Sequence, residues 1–133
     1  MEYAPGDDGR PQLLAVDTRP LPDGRAVLRL AGELDLASCG QLRDALNAQL
    51  LQGRTQLVLD MGDLEFIDSS GLSVLVEYSK KAICAGGQLA LAALRPKPAR
   101  IIKITSLDRV IPIYATTAEA VAATVPDASA AAS

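Results

Sequence analysis

A chain of 133 residues with 49% apolar and 22% charged side chains suits one domain with a packed core and excludes a disordered polymer. Its 13 Lys and Arg against 16 Asp and Glu give a formal charge of −3 with no basic run, which excludes a nucleic-acid binder that works by neutralising phosphates. The lack of any His removes Ser-His-Asp and Cys-His catalysis, His general bases and His metal ligands together, and the lack of Trp argues against a site of stacked aromatics.

Residues 1–12 (MEYAPGDDGRPQ) are polar and rich in Gly and Pro, and residues 125–133 (VPDASAAAS) are mostly small. They are expected to form a flexible leader and tail around a domain spanning 13–124. The leader has no apolar signal segment, and no apolar run approaches the ~20 residues of a membrane span. The expectation is a soluble, cytoplasmic protein without membrane contact.

Leu13–Thr18 (LLAVDT) reads as a strand, Pro20–Gly24 (PLPDG) as a turn, and Arg25–Ala31 (RAVLRLA) as the second arm of an antiparallel hairpin. Gly32-Glu33-Leu34-Asp35 follows as a loop. The spacing turns helical from Leu36 to Leu51, with Cys39, Leu42, Ala45, Leu46 and Leu50 on one face. Arg43, Asp44, Asn47 and Gln49 fall mostly elsewhere, and Gly53 ends the helix.

Thr55–Met61 (TQLVLDM) is apolar at consecutive positions, as in a strand buried on both faces. Gly62–Asp68 (GDLEFID) reads as a loop. Ser69 or Ser70 then opens a long helix whose inner stripe is Leu72, Leu75, Val76, Ser79 and Ile83, closed by Gly86-Gly87. Gln88–Leu94 is a strand, Pro98–Ile104 a short helix, Val110–Tyr114 a last strand and Thr117–Thr124 a short Ala-rich helix. Pro112 points to a sheet edge for that last strand.

This is an α/β order: a mixed sheet of four or five strands, mostly parallel with an antiparallel N-terminal hairpin, covered by about four helices. Leu28, Leu30, Leu42, Leu46, Val58, Leu59, Leu72, Leu75, Val76 and Leu89 are the expected core. Cys39 and Cys84 lie far apart without a CxxC motif and read as buried reduced thiols.

Chemistry concentrates in Asp60–Leu75 (DMGDLEFIDSSGLSVL). Asp68-Ser69-Ser70-Gly71 stands at a helix start, where a serine oxygen can accept a backbone N–H and the positive end of the helix tolerates an anion. A purely structural reading makes Ser69 the cap, with Asp68 complementing the dipole.

Several blocks together resemble the STAS domain family, named for sulfate transporters and anti-sigma factor antagonists. The likeness is greatest to the family's small free-standing bacterial anti-sigma factor antagonists. Gly32-Glu33-Leu34-Asp35 is similar to the G-E-[hydrophobic]-D loop between their second strand and first helix. Asp60 with Leu64 to Leu72 is similar to their strand followed by D-S-S-G-L. Gly86-Gly87-Gln88-Leu89 is similar to their G-G turn, and Thr105-Ser106-Leu107-Asp108 to their T-G-L-D segment. Ser106 departs from the usual Gly, and Pro98 from the usual apolar residue. The resemblance covers Leu13 to Thr124 and implies a STAS-like sheet covered by helices.

In that family the first serine after the aspartate is the phosphate acceptor, so the resemblance implies phosphorylation at Ser69. It implies a partner surface at Gly32, Glu33, Asp35, Asp68, Ser70 and Gly71, and no cofactor. The implied partners are an ATP-dependent anti-sigma factor serine kinase and a serine phosphatase. The unphosphorylated form would bind the kinase and free a sigma factor, and the phosphorylated form would let go. The protein would be a substrate and a switch, not an enzyme. The alternative is a sensory or scaffold STAS protein that binds a nucleotide or small ligand without phosphorylation.

Three further features weigh less. Glu33 and Asp35 are a carboxylate pair without a companion base or metal motif. Gly86-Gly87 lacks a following phosphate-loop pattern. Arg95, Lys97, Arg100 and Lys103 form a small basic patch that reads first as a solvated helix start.

Overall fold

The computed structural model describes residues 14–124, so the leader expected over 1–12 and the tail over 125–133 lie outside the described residues. Two strands open the chain, β1 (Ala15–Leu21) and β2 (Arg25–Leu34), followed by α1 (Cys39–Leu51) and β3 (Gln56–Ile67). Then come α2 (Ser69–Cys84), β4 (Gln88–Ala92), α3 (Pro96–Ile104), a 3₁₀ turn at Leu107–Arg109, β5 (Ile113–Tyr114) and α4 (Thr117–Ala123). The strands lie side by side in chain order. β1 pairs antiparallel with β2, and every later pair is parallel. The mixed α/β sheet is therefore the expected one, with β5 at the edge.

Alternation along the strands decides which helix covers which face. Leu28, Leu30, Leu57, Leu59, Leu89 and Leu91 point to the face covered by α1, α2 and α3, and form the main core with Leu42, Leu46, Leu75 and Ile102. Val27, Val58 and Ala92 point to the other face, where α4 packs through Ala120 and Val121. α4 reaches β3, β4 and β5.

Several local expectations are corrected. β2 and β3 run on to Leu34 and Ile67, through segments that read as loops. Their pairing absorbs this with register shifts between Arg29 and Ala31 and between Gly32 and Glu33. Gly32 takes φ +105 there, which a side chain would strain. The last strand shrinks to Ile113–Tyr114, and α3 starts two residues early at Pro96.

The buried stripe of α2 is Gly71, Val74, Leu75, Tyr78, Ser79 and Ala82. Leu72 and Val76 are only half-buried and Ile83 is 55% exposed. Gly71 brings the helix start close to the sheet and turns the face by about one position. Gln49 is buried, with its Oε1 accepting from Arg54 Nε. Cys39 is a buried free thiol as expected, whereas Cys84, on the last turn of α2, is exposed.

Candidate functional site

β2 and β3 end together, with Leu34 opposite Ile67 and Glu33 opposite Phe66. The Asp68 amide donates to the Leu34 carbonyl at 3.1 Å, so the two segments singled out in the sequence meet at one hydrogen bond. That bond extends the ladder by one residue and holds Asp68 in an extended conformation (φ −111°, ψ −173°). The next residue is already helical.

Asp68 is thus the N-cap. Its Oδ1 accepts from the Gly71 amide at 3.0 Å, and its carbonyl accepts from Leu72 at 3.0 Å. This corrects the structural reading of Ser69 as the cap. Ser69 is the first helical residue, it is exposed, and its hydroxyl makes no hydrogen bond among the described residues. Only its carbonyl is used, accepting from Ser73 Oγ at 3.0 Å. With the Asp68 and Gly71 amides engaged, the Ser69 and Ser70 amides, at the positive end of the 16-residue α2, are open among the described residues. Ser70 is half-buried.

Gly71 lies beneath this surface. A Cβ added there would stand 2.7 Å from Leu34 Cγ and 2.9 Å from Ile67 Cγ1. The residue therefore acts through packing, letting α2 begin directly over the ends of β2 and β3.

The second loop is tied by a residue the sequence reading missed. Ser38 is fully buried. Its Oγ accepts from the Asp35 amide at 2.9 Å and donates to the Glu33 carbonyl at 2.8 Å. The Ser38 amide donates to Asp35 Oδ1 at 3.1 Å. Asp35 therefore caps the turn that leads into α1, and a D-x-x-S spacing is the signal that could have revealed it. The turn leaves Leu36 75% exposed. Phe66, opposite Glu33, is 40% exposed. The rim of the site thus mixes exposed apolar groups with carboxylates.

The carboxylates differ in their partners. Asp63 receives two hydrogen bonds from Arg29, at 2.8 and 3.1 Å. Glu65 is exposed and borders a shallow hollow with Arg95, Pro96, Lys97 and Pro98. Glu33 and Asp68 make no ion pair among the described residues. No cluster among the described residues could hold a metal ion, and no described helix is long and apolar enough to cross a membrane.

Comparison with known proteins matches residues 17–120 to a family model described as the STAS domain. The anti-sigma F factor antagonist of Paenibacillus polymyxa is 30% identical over 92 residues, which cover 68% of this chain and 79% of that protein. Among solved structures, an anti-sigma factor antagonist from Mycobacterium paratuberculosis superposes with a TM-score of 0.76 at 29% identity, over 84% of this chain and 93% of that one. SpoIIAA of Bacillus is similar in its unphosphorylated form, with TM-score 0.70, 25% identity, and 80% and 93% of the two chains covered. Its phosphorylated form gives a TM-score of 0.65 at 25% identity, over 80% and 96%.

Proposed function

Because the chain belongs to the STAS domain family, we propose that it is an anti-sigma factor antagonist whose grip on its partner is released by phosphorylation of Ser69. The observation that carries this reading is the position of the Ser69 hydroxyl: exposed, without a partner among the described residues, and one residue past the cap. The names of similar proteins support the antagonist role. SpoIIAA, solved with and without its phosphate, supports a phosphate-dependent state.

In this reading the unphosphorylated protein docks on an anti-sigma factor that is also an ATP-dependent serine kinase, and a sigma factor goes free. The Ser69 Oγ attacks the γ-phosphorus of ATP, its proton passes to the kinase, and ADP leaves. A serine phosphatase restores the hydroxyl. Such a protein is a cytoplasmic binding module, and the reading gives it no catalytic step of its own.

The local physics suits the switch. Phosphate adds a charge of about −1.5 to −2 and three acceptor oxygens. The two open amides and the helix dipole keep this tolerable for the fold. A partner seated over Glu33, Asp35, Asp68 and Ser70 meets it as an added anion beside existing carboxylates, with the cost of desolvating it. A loss of ~3 kcal/mol in binding would lower affinity roughly a hundredfold.

The test is intact-mass analysis after incubation with the cognate anti-sigma kinase and ATP. One added phosphate is expected on the parent chain and on Ser70→Ala, and none on Ser69→Ala, which should also stay bound to the kinase. A phosphate on Ser69→Ala but not on Ser70→Ala moves the acceptor by one residue. No phosphate on the parent chain overturns the switch.

A further inference from the structure

α4 covers only part of the second sheet face, and a groove of about 690 Å³ opens beside it over β1 and β2. That volume lies within the roughly 300–1,000 Å³ of small-molecule sites. Leu21 and Val27 line it from the strands, and Val121 and Ala122 from the helix. None of these residues belongs to the Ser69 surface. Arg25 opens β2, whereas Leu34, beside Asp68, closes it.

The charges along the groove are unevenly distributed. At one end Arg29 stands in register with both Asp17 and Asp60. Arg29 also binds Asp63, and Asp60 Oδ1 accepts from the Gly62 amide at 3.0 Å. Cations and carboxylates offset each other there. At the other end Leu21 is opposite Arg25 and Arg19 is opposite Val27, which puts two arginines on one diagonal and two apolar side chains on the other. Arg25 Nε donates to the Pro22 carbonyl at 3.1 Å, and neither arginine meets a carboxylate among the described residues. Diagonal neighbours across an antiparallel pair lie ~7–8 Å apart, within reach for long side chains. Two arginines placed this way can both reach one anion set between them, each through charge-assisted hydrogen bonds.

We propose that this groove binds a small amphipathic carboxylate, its head between Arg19 and Arg25 and its apolar body along Leu21, Val27, Val121 and Ala122. Such a site would give the protein an input separate from the serine, on the opposite face of the sheet.

Octanoate below its micelle concentration, titrated into the full chain and followed by amide NMR shifts, is the test. Saturable shifts are expected at Leu21, Val27, Val121 and Ala122, with Ser69 to Ser73 unmoved. The neutral analogue 1-octanol should bind about tenfold more weakly or worse, and Arg19→Gln with Arg25→Gln should weaken octanoate by about tenfold. Val121→Trp, which fills the groove, should abolish the shifts while Ser69 is still phosphorylated. Shifts that do not saturate, equal binding of octanol, or octanoate binding unchanged in the double variant would overturn the proposal. So would binding to phosphatidylglycerol vesicles with none to octanoate, which would make this a membrane-facing surface.

Discussion

Asp68 Oδ1 accepts the amide hydrogen of Gly71 at 3.0 Å, and this bond separates the cap of α2 from the serine that follows it. The consequence is a division of labour that stability measurements can read. Asp68→Ala should cost about 1 kcal/mol, the usual worth of an N-cap side chain. Ser69→Ala removes a hydroxyl with no partner among the described residues and should change stability by less than ~0.5 kcal/mol. Urea denaturation of the two variants checks this, and equal losses would return the capping role to Ser69.

Gly71→Ala should destabilise the fold even though Ala is the better helix former. The propensity gain is ~1 kcal/mol. Against it stands a methyl 2.7 Å from Leu34 Cγ, and Leu34 is fully buried with no room to withdraw. Overpacking of this kind costs ~1–3 kcal/mol, so the net change should be a loss of up to ~2 kcal/mol. Adding Leu34→Ala should make the Gly71→Ala step less costly than it is in the parent chain, and a double-mutant cycle measures that coupling.

The α/β order and the main core were legible because most strands and helices keep their own periods. What was not legible lies where a period breaks. In β3 the buried positions Met61, Leu64 and Ile67 are three apart, because the parallel partner β2 shifts register beside them. A two-residue alternation cannot show such a strand, so Gly62–Asp68 read as a loop. The α2 stripe was misplaced because a glycine carries no apolar signal, although Gly71 sets how closely the helix packs. Asp and Ser are both capping residues, and the choice of Asp68 over Ser69 is made by a long-range bond to the Leu34 carbonyl. The special place of Ser69 came from the resemblance, since no local pattern separates an acceptor serine from an ordinary one.

The Asp35 turn yields a prediction that guards against a false interface result. Ser38→Ala leaves the Asp35 amide and Glu33 carbonyl without their buried partner and should cost ~1–3 kcal/mol. Asp35→Ala removes the cap on the Ser38 amide and should cost about 1 kcal/mol. Any loss of partner binding in Asp35→Ala therefore has to exceed its loss of folded protein before it counts as contact. Glu33→Gln is the cleaner probe, because the loop uses the Glu33 carbonyl and not its side chain.

Glu77 links the two helices over the main core face, receiving Arg43 Nε at 3.1 Å and Lys81 Nζ at 3.4 Å. Desolvation pushes its carboxyl up, but the hydrogen bonds and charges of Arg43 and Lys81 outweigh this and hold it below the usual glutamate range. A carboxyl pKa lowered by folding contributes stability above its unfolded value, near 4.3, and that contribution fades as pH falls through the folded value. All three side chains are more than a third exposed, so the effect should be small and should shrink in salt. Glu77→Gln should flatten this part of the acid-stability curve, and NMR titration of the carboxyl should show the lowered midpoint directly.

Charge at position 69 should move stability and binding in different directions. Ser69→Glu places an anion in the first turn of a 16-residue helix beside two open amides, a position worth ~0.3–1 kcal/mol. Asp68 next to it repels the new charge, but its own oxygen is held by the Gly71 amide and position 69 is exposed to water, where screening is strong. The fold should therefore be as stable as the parent or slightly more so. A partner seated over Glu33, Asp35 and Asp68 meets the same charge after water has been excluded, where repulsion is undiluted, so affinity for the anti-sigma factor should fall. The fall should be smaller than for phosphate, because a carboxylate brings one charge and one fewer acceptor oxygen. Measuring thermal stability and anti-sigma binding on the same preparation separates the two effects. Weaker binding with undiminished stability is the signature of an electrostatic switch at Ser69, whereas losses that run in parallel would mean the variant had only damaged the start of α2.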